Sequence, residues 1–267
     1  MKIIRLRTAT GVTYASLETD GTARRIGGDI YGDFAVTPEL VTGKLLAPIA
    51  PTNIFCIGLN YRRHAEETGG KKMPEHPVLF MKSTGSVTNP EDPILIPTHL
   101  ASHEVDYECE LAVVIGRSAK NVSRERALDY VLGYTCANDV SARDWQTNGG
   151  GKQWCRGKTF DTFCPLGPCL VTPEEISDPN NLRLSTKIND ECLQDWTTSD
   201  MIFSVVEIIE FLSGSTTLLP GSVILTGTPH GVGMARTPPR WLRPGDIVTI
   251  EVEKIGRLVN PVALETP

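Results

Sequence analysis

A mostly β protein with accessory helices, of the α+β class, is the fold this sequence predicts, and three observations lead there. Short runs rich in β-branched and other apolar residues recur along the chain: "PVLFMK", "DPILIP", "LAVVIG", "PCLVT", "SVILTG" and "DIVTIEVEKIG". Turn signals part them, with 24 Gly and 19 Pro in 267 residues. Helical periodicity is confined to "NYRRHAEETG", "SRERALDYVLG" and "SVVEIIEFLSG". Alternating βαβ units would need a helix after nearly every strand, so a mixed β-roll or folded sandwich is expected.

Taken in order, "KIIRLRT" and "TYASLET" read as a first β-hairpin, and the Pro-punctuated "LAPIAPTN" as an ordered linker. A small β-rich N-terminal unit is therefore expected over residues 1–48 and the main, catalytic domain over 49–267. In "NYRRHAEETG" Asn60 is the expected helix cap, and in "NDVSARDWQ" the spacing of Ser141 to Asp144 resembles a capping arrangement that starts a helix. The Pro-Gly pairs in "LPGS" and "RPGD" suit type II turns.

Composition narrows the partners. The net charge is −6 and no stripe of Lys and Arg is present, so no nucleic-acid or anionic-membrane partner is expected. No apolar stretch approaches the ~20 residues that cross a bilayer, and the first 21 residues lack the apolar centre of a signal peptide. Seven cysteines, an odd number without a C-x-x-C pair, point to neither a disulfide framework nor structural zinc. A reducing, cytoplasmic location is expected, with the mitochondrion as the alternative.

The chemical signal is "DYECELAVVIG", residues 106–116. In a strand, Asp106, Glu108 and Glu110 share one face. An exposed edge strand with a solvated acidic face is the plain reading, but the continuation "LAVVIG" is typical of a strand covered on both sides. Carboxylates entering such an element need a compensating cation. Asp139, after the apolar "GYTCA", supplies a third ligand with Glu108 and Glu110. All-oxygen ligation selects Mg²⁺ or Mn²⁺, with Ca²⁺ as a further option, and leaves positions for substrate oxygens.

At this point the chain resembles the fumarylacetoacetate hydrolase superfamily over about residues 50–262. The resemblance rests on "GLNYRRHAEETG", "PVLFMKSTGSV", "HEVDYECELAVVIG", "NDVSARDWQ", "RGKTFDTFCPLGP", "LLPGSVILTGTPHGVG" and "LRPGDIVTIEVEKIG". It implies a mixed β-roll around a divalent metal on Glu108, Glu110 and Asp139, and a homodimer. It is nearest to the shorter acylpyruvase, oxaloacetate-acting and hydroxyheptadienedioate isomerase members.

The remaining site residues follow from the motifs and this resemblance together. His64 and Glu67, three apart, form either a surface ion pair or, as the resemblance implies, an H-x-x-E dyad that activates water on a lid-like helix, with "GGKK" as its hinge. Lys158 matches the family's active-site lysine and would stabilise an enolate or oxyanion. Gln146 and Arg143 match positions near the metal, Gln146 as an oxyanion donor, Arg143 as a substrate contact or a counter-ion of the acidic cluster. Thr226 and the amides of Gly227 and Thr228 would hold a substrate carboxylate. Lys82 would meet a distal carboxylate or pair with the cluster, and His230 reads as a surface residue. Asp106 matches no ligand position and is expected to hydrogen-bond a neighbour.

The activity expected is metal-dependent hydrolysis of a carbon–carbon bond in acylpyruvate-type 2,4-dioxo acids through an enolate. Oxaloacetate decarboxylation or tautomerisation, and hydroxyheptadienedioate isomerisation, are the alternatives on the same site. A rival of another class, a non-catalytic metal-stabilised scaffold, would be marked by loss of the dyad or the lysine, and all of these residues are present.

Overall fold

The computed structural model describes residues 1–69 and 72–266. Five strands come first: β1 (Lys2–Thr8), β2 (Gly11–Leu17), β3 (Ala23–Gly28), β4 (Phe34–Leu40) and β5 (Lys44–Leu46). Then follow β6 (Ile54–Gly58), helix α1 (Arg62–Glu67), β7 (Val78–Lys82), β8 (Val87–Thr88) and β9 (Ile94–Ile96). The centre of the chain holds β10 (Val105–Asp106), β11 (Cys109–Ile115), β12 (Val131–Asn138), β13 (Ser141–Ala142), the four-residue α2 (Cys155–Lys158) and β14 (Cys164–Val171). The last part holds β15 (Arg183–Ile188), β16 (Glu191–Thr197), α3 (Val205–Ser213), β17 (Val223–Leu225), β18 (Ile247–Val252) and β19 (Gly256–Leu264). The protein is mostly β with accessory helices, as the sequence predicts.

One large sheet runs in the order β4-β3-β2-β1-β14-β12-β11-β17-β6-β7, and a second in the order β16-β15-β18-β19-β9. The N-terminal strands enter the large sheet where β1 pairs with β14, Lys2 opposite Val171 and Ile3 opposite Leu170. Strand β11 lies between β12 and β17 and all seven of its residues are buried. Its alternate residues serve two cores. Leu111, Val113 and Ile115 pack in a cluster with Leu184, Ile250 and Leu258 of the second sheet. Ala112 and Val114 pack with Ile54, Cys56, Leu166 and Leu225 on the opposite face. This is why "LAVVIG" is continuously apolar, each buried aliphatic side chain contributing roughly 1.5–3 kcal/mol.

The helices depart from the sequence reading in three places, the third being the cap of α1, Tyr61 in place of Asn60. Helix α3 forms as its pattern requires: Val205, Ile208, Ile209 and Leu212 make one buried stripe, and Ser204 with Glu207 closes a capping box. The segment "SRERALDYVLG" instead forms a 3₁₀ turn over Arg124–Tyr130 and yields to β12 at Val131. Pairing of "VLGYTCAN" with both β11 and β14 outweighs its helical spacing. Ser141 caps no helix either. It lies in β13 opposite Asp106, its hydroxyl donates to Asp139 O at 2.8 Å, and Asp144 caps the turn that follows. The Pro-Gly turns stand as read, Gly221 and Gly245 having φ of +81° and +92°. All seven cysteines are free thiols, and among the described residues no helix is long and apolar enough to cross a membrane.

Candidate active site

The register of β11 against β12 builds the acidic cluster. Cys109 faces Asn138, so Glu108 and Glu110 flank the position next to which Asp139 leaves β12. Asp139 N–H donates to Glu108 O at 3.0 Å, and Glu108 N–H donates to the Asn138 side chain at 3.0 Å. Ligand oxygens of Glu108, Glu110 and Asp139 all lie within 4.8 Å of one another, and the three residues are buried. Asp106 is separated from them by the break between β10 and β11. Its carboxylate accepts from the backbone of Tyr107, Gly233 and Met234 and from Arg143, at 2.7–3.0 Å, and so it pins the 233–234 turn.

Three buried cations face these carboxylates. Lys158 Nζ donates to Glu108 at 2.7 Å and Asp139 at 2.8 Å. Lys82 Nζ donates to Asp139 at 2.5 Å and to Val140 O at 3.0 Å, so it pairs with the cluster, and it does not line the cavity described below. Arg143 bonds Asp106, Glu108 and Gln146 Oε1 at 2.7–2.9 Å. Helix α2 brings Lys158 this close because Gly157 precedes it. A Cβ there would lie 2.4 Å from Gln146 N and 2.6 Å from Ala142 O.

Glu110 is the carboxylate without a cation. Among the described residues its hydrogen bond is to Gly227 N–H, at 2.6 Å. Burial, and then the charges of Asp139 and Glu108, push its carboxyl well above the usual range. Burial acts on Glu108 in the same sense, but Lys158, Arg143 and His64 outweigh it and hold that carboxyl far below the usual range. Four buried carboxylates against three buried cations, all with hard oxygen donors, fit a divalent metal ion at Glu108, Glu110 and Asp139.

Helix α1 carries the dyad. Its cap is Tyr61, not Asn60. The buried Asn60 amide is taken up by Phe203 N–H, Phe203 O and Thr226 O at 2.7–3.0 Å, which leaves nothing for the helix. His64 Nδ1 lies 2.8 Å from Glu67 Oε1, and Gly231 N–H holds the two oxygens of Glu67 at 3.1 and 2.9 Å. Of the expected hinge, Gly70 and Lys71 lie outside the described residues.

A cavity of about 190 Å³ brings the two halves together, with His64, Glu110, Asp139, Arg143, Gln146 and Lys158 on its walls. Glu108 and Thr228 also reach it, whereas Thr226 and Gly227 do not line it. The Thr226 hydroxyl donates to Leu111 O at 2.8 Å and the Gly227 amide to Glu110, so both hold the strand and its ligand, not a substrate carboxylate. Thr147 and Trp154 show that the 147–155 segment walls the site, and Trp154 stacks edge-on against Phe80 at 5.6 Å. Sequence reasoning passed over Phe80 and Met234 because apolar residues carry no chemical signature. His230 is half-buried against Trp196, ring centroids 4.9 Å apart, and does not line the cavity.

Arg143 gives a first prediction. Arg143→Ala strips a bidentate partner from two buried carboxylates and is expected to cost about 3–5 kcal/mol, read as a fall in the denaturant midpoint of metal-free protein. An unchanged midpoint would contradict the pairing drawn here.

A β-roll with a buried carboxylate triad, a lysine and a glutamate-bonded histidine on one small cavity defines an enzyme of the fumarylacetoacetate hydrolase family, and the chain belongs to that family: the fumarylacetoacetate (FAA) hydrolase C-terminal domain matches residues 53–263. Among its relatives is the mitochondrial oxaloacetate tautomerase fahd2 of Xenopus laevis, 51% identical over 220 residues, 82% of this chain and 68% of that protein. Among solved structures, 5-carboxymethyl-2-hydroxymuconate delta-isomerase from Mycobacterium smegmatis superposes with a TM-score of 0.86 at 39% identity, covering 99% of this chain and 100% of that one. The 2-hydroxyhepta-2,4-diene-1,7-dioate isomerase from Mycobacterium marinum gives the same TM-score, 0.86, at 39% identity over 100% of both chains.

Proposed function

We propose that the protein is a divalent-metal-dependent keto–enol tautomerase of short 2-oxo dicarboxylic acids, with oxaloacetate as the leading substrate. One observation carries the reading: the three carboxylates and His64, whose Nδ1 is bonded to Glu67 outside the lining, open on the same ≈ 190 Å³ cavity. That volume is below the roughly 300 Å³ of sites for drug-sized ligands, so the occupant is a small acid. The oxaloacetate tautomerase at 51% identity supports this choice of substrate.

Held by Glu108, Glu110 and Asp139, Mg²⁺ or Mn²⁺ would polarise the 2-oxo carbonyl and acidify the adjacent C–H. The chain's own groups do the rest. With Nδ1 bonded to Glu67, His64 Nε2 has no partner among the described residues and can take a proton from the enol hydroxyl or deliver one to C3. Lys158 neutralises charge that develops on the enolate oxygen, and Arg143 and Gln146 orient a carboxylate. Residues 1–48 act as the smaller structural unit, the assembly proposed is a homodimer, and the free thiols fit a reducing interior, which cytoplasm and mitochondrion both provide.

Hydrolysis of 2,4-dioxo acids is the second reading, and the His64–Glu67 distance of 2.8 Å favours it, because the same dyad would activate water. Proton NMR separates the two. Metal-stripped and Mg²⁺-restored protein is incubated with the oxaloacetate enol and, in parallel, with acetylpyruvate. Metal-dependent conversion of enol to keto form without pyruvate release is expected; acetate plus pyruvate from acetylpyruvate, with no effect on the enol, would replace tautomerase by hydrolase.

A further inference from the structure

We infer that Gln194 is a positioning residue that ties the metal-holding strand to the loop that orients the dyad. Gln194 lies in β16 and is 1% exposed. Its Oε1 accepts from Cys109 N–H at 3.0 Å and from the Thr186 hydroxyl at 2.7 Å. Its Nε2 donates to Thr228 Oγ1 at 2.9 Å and to Pro229 O at 2.8 Å. Both lone pairs and both hydrogens of the amide are thereby used.

The partners are what matter. Cys109 is the residue between Glu108 and Glu110, and Thr228 lines the cavity. Two residues beyond Pro229, the Gly231 amide holds the Glu67 carboxylate that orients His64. A single side chain thus sets the metal-holding strand and the dyad's anchor in one frame. The orientation of an imidazole base depends on the partner of its other nitrogen, so the position of the 228–231 loop is chemically consequential.

A local irregularity puts Gln194 there. Thr186 faces Gln194 while Lys187 faces Cys192, so Leu193 is the extra residue of a β-bulge. The bulge lets two sequence neighbours, Leu193 and Gln194, both turn inward. It also seats the loop, because a Cβ on Gly231, whose φ is +97°, would lie 2.4 Å from Leu193 O. Tyr107 holds the same glycine independently, its hydroxyl donating to Gly231 O at 3.1 Å. Loss of Gln194 therefore displaces the loop without releasing it.

The test is ¹⁵N NMR of the imidazoles in the 267-residue chain, with the His64 signal among the five histidines assigned by its disappearance in His64→Asn. The inference rests on the dyad of the proposed site, but the readout contains no substrate, so its failure is separable from failure of the tautomerase reading. In Gln194→Met the His64 Nδ1 signal is expected to move toward its position in Glu67→Gln, and the double variant to move it little further. Gln194→Glu keeps the acceptor for Cys109 and Thr186 but turns a carboxylate on Pro229 O. It is expected to shift the His64 signal, because the two donor contacts to Thr228 and Pro229 that seat the loop are lost. Should Gln194→Met not fold, Gln194→Glu decides alone. A wild-type His64 signal in the folded variants, or shifts that simply add to that of Glu67→Gln, would overturn the inference.

Discussion

Glu110→Gln is expected to remove Mg²⁺ binding and with it the metal-dependent activity, while making the metal-free protein more stable than wild type. The first effect is the larger. Polarisation by a bound ion is worth several kcal/mol, so the rate falls by about 10³-fold or more. The second has the opposite sign because Glu110 is buried beside Asp139 and Glu108 with no ion-pair partner among the described residues. Its carboxyl titrates above the ordinary 4.5 in the folded chain. Ionisation therefore costs stability as pH rises above 4.5, and below that value both folded and unfolded chains are protonated and the cost is absent. A neutral amide escapes the cost and keeps an acceptor for Gly227 N–H. Thermal melts of stripped protein should show the variant ahead at pH 7 by about 2–4 °C per kcal/mol gained, with the advantage gone near pH 4. A lower midpoint at pH 7, or retained Mg²⁺ binding, would contradict the account of this carboxylate. Asp139→Asn gives a useful contrast. Asp139 already pairs with Lys82 and Lys158, so its neutralisation leaves two buried cations short of a partner and carries no such gain.

His64→Asn is expected to lower enol-to-keto conversion by about 10²–10⁴-fold while leaving Mg²⁺ affinity close to wild type. The separation follows from the geometry: His64 is on α1 and bonded to Glu67, whereas the three carboxylates proposed to hold the metal lie just before β11 (Glu108), in β11 (Glu110) and just after β12 (Asp139). Glu67→Gln should produce a smaller loss, since the imidazole remains but its partner no longer fixes the tautomer. Stopped-flow absorbance of the oxaloacetate enol, with Mg²⁺ calorimetry alongside, reads both quantities. A wild-type rate in His64→Asn would remove the dyad from the chemistry, and a lost metal would mean that His64 shapes the carboxylate cluster.

Much of this site was legible because its chemistry and its local geometry coincide. Two carboxylates at i and i+2 followed by a doubly buried run can be read from seven residues, and an H-x-x-E pair is brought together by a single helical turn. What was not legible depends on partners far away in the chain. Asn60 has the residue type of a helix cap, yet its amide is claimed by Phe203 and Thr226, more than 140 positions on. Thr226 and Gly227 sit in a loop that suits ligand binding, but Leu111 and Glu110 take their donors first. "SRERALDYVLG" has helical spacing, and only the two flanking strands decide that its last three residues extend. Gln194 gave no signal, because an amide beside Leu193 is what an alternating strand turns to solvent, and only the bulge at Leu193 turns it inward.

The most direct test of the central claim, that this cavity binds an enolate through a metal held by Glu108, Glu110 and Asp139, is calorimetry of oxalate, a mimic of the pyruvate enolate. Oxalate is expected to bind the Mg²⁺-loaded protein, and to bind neither the stripped protein nor Glu110→Gln. Equal binding to stripped and loaded protein would place the acid on Arg143 and Lys158 alone and contradict the account.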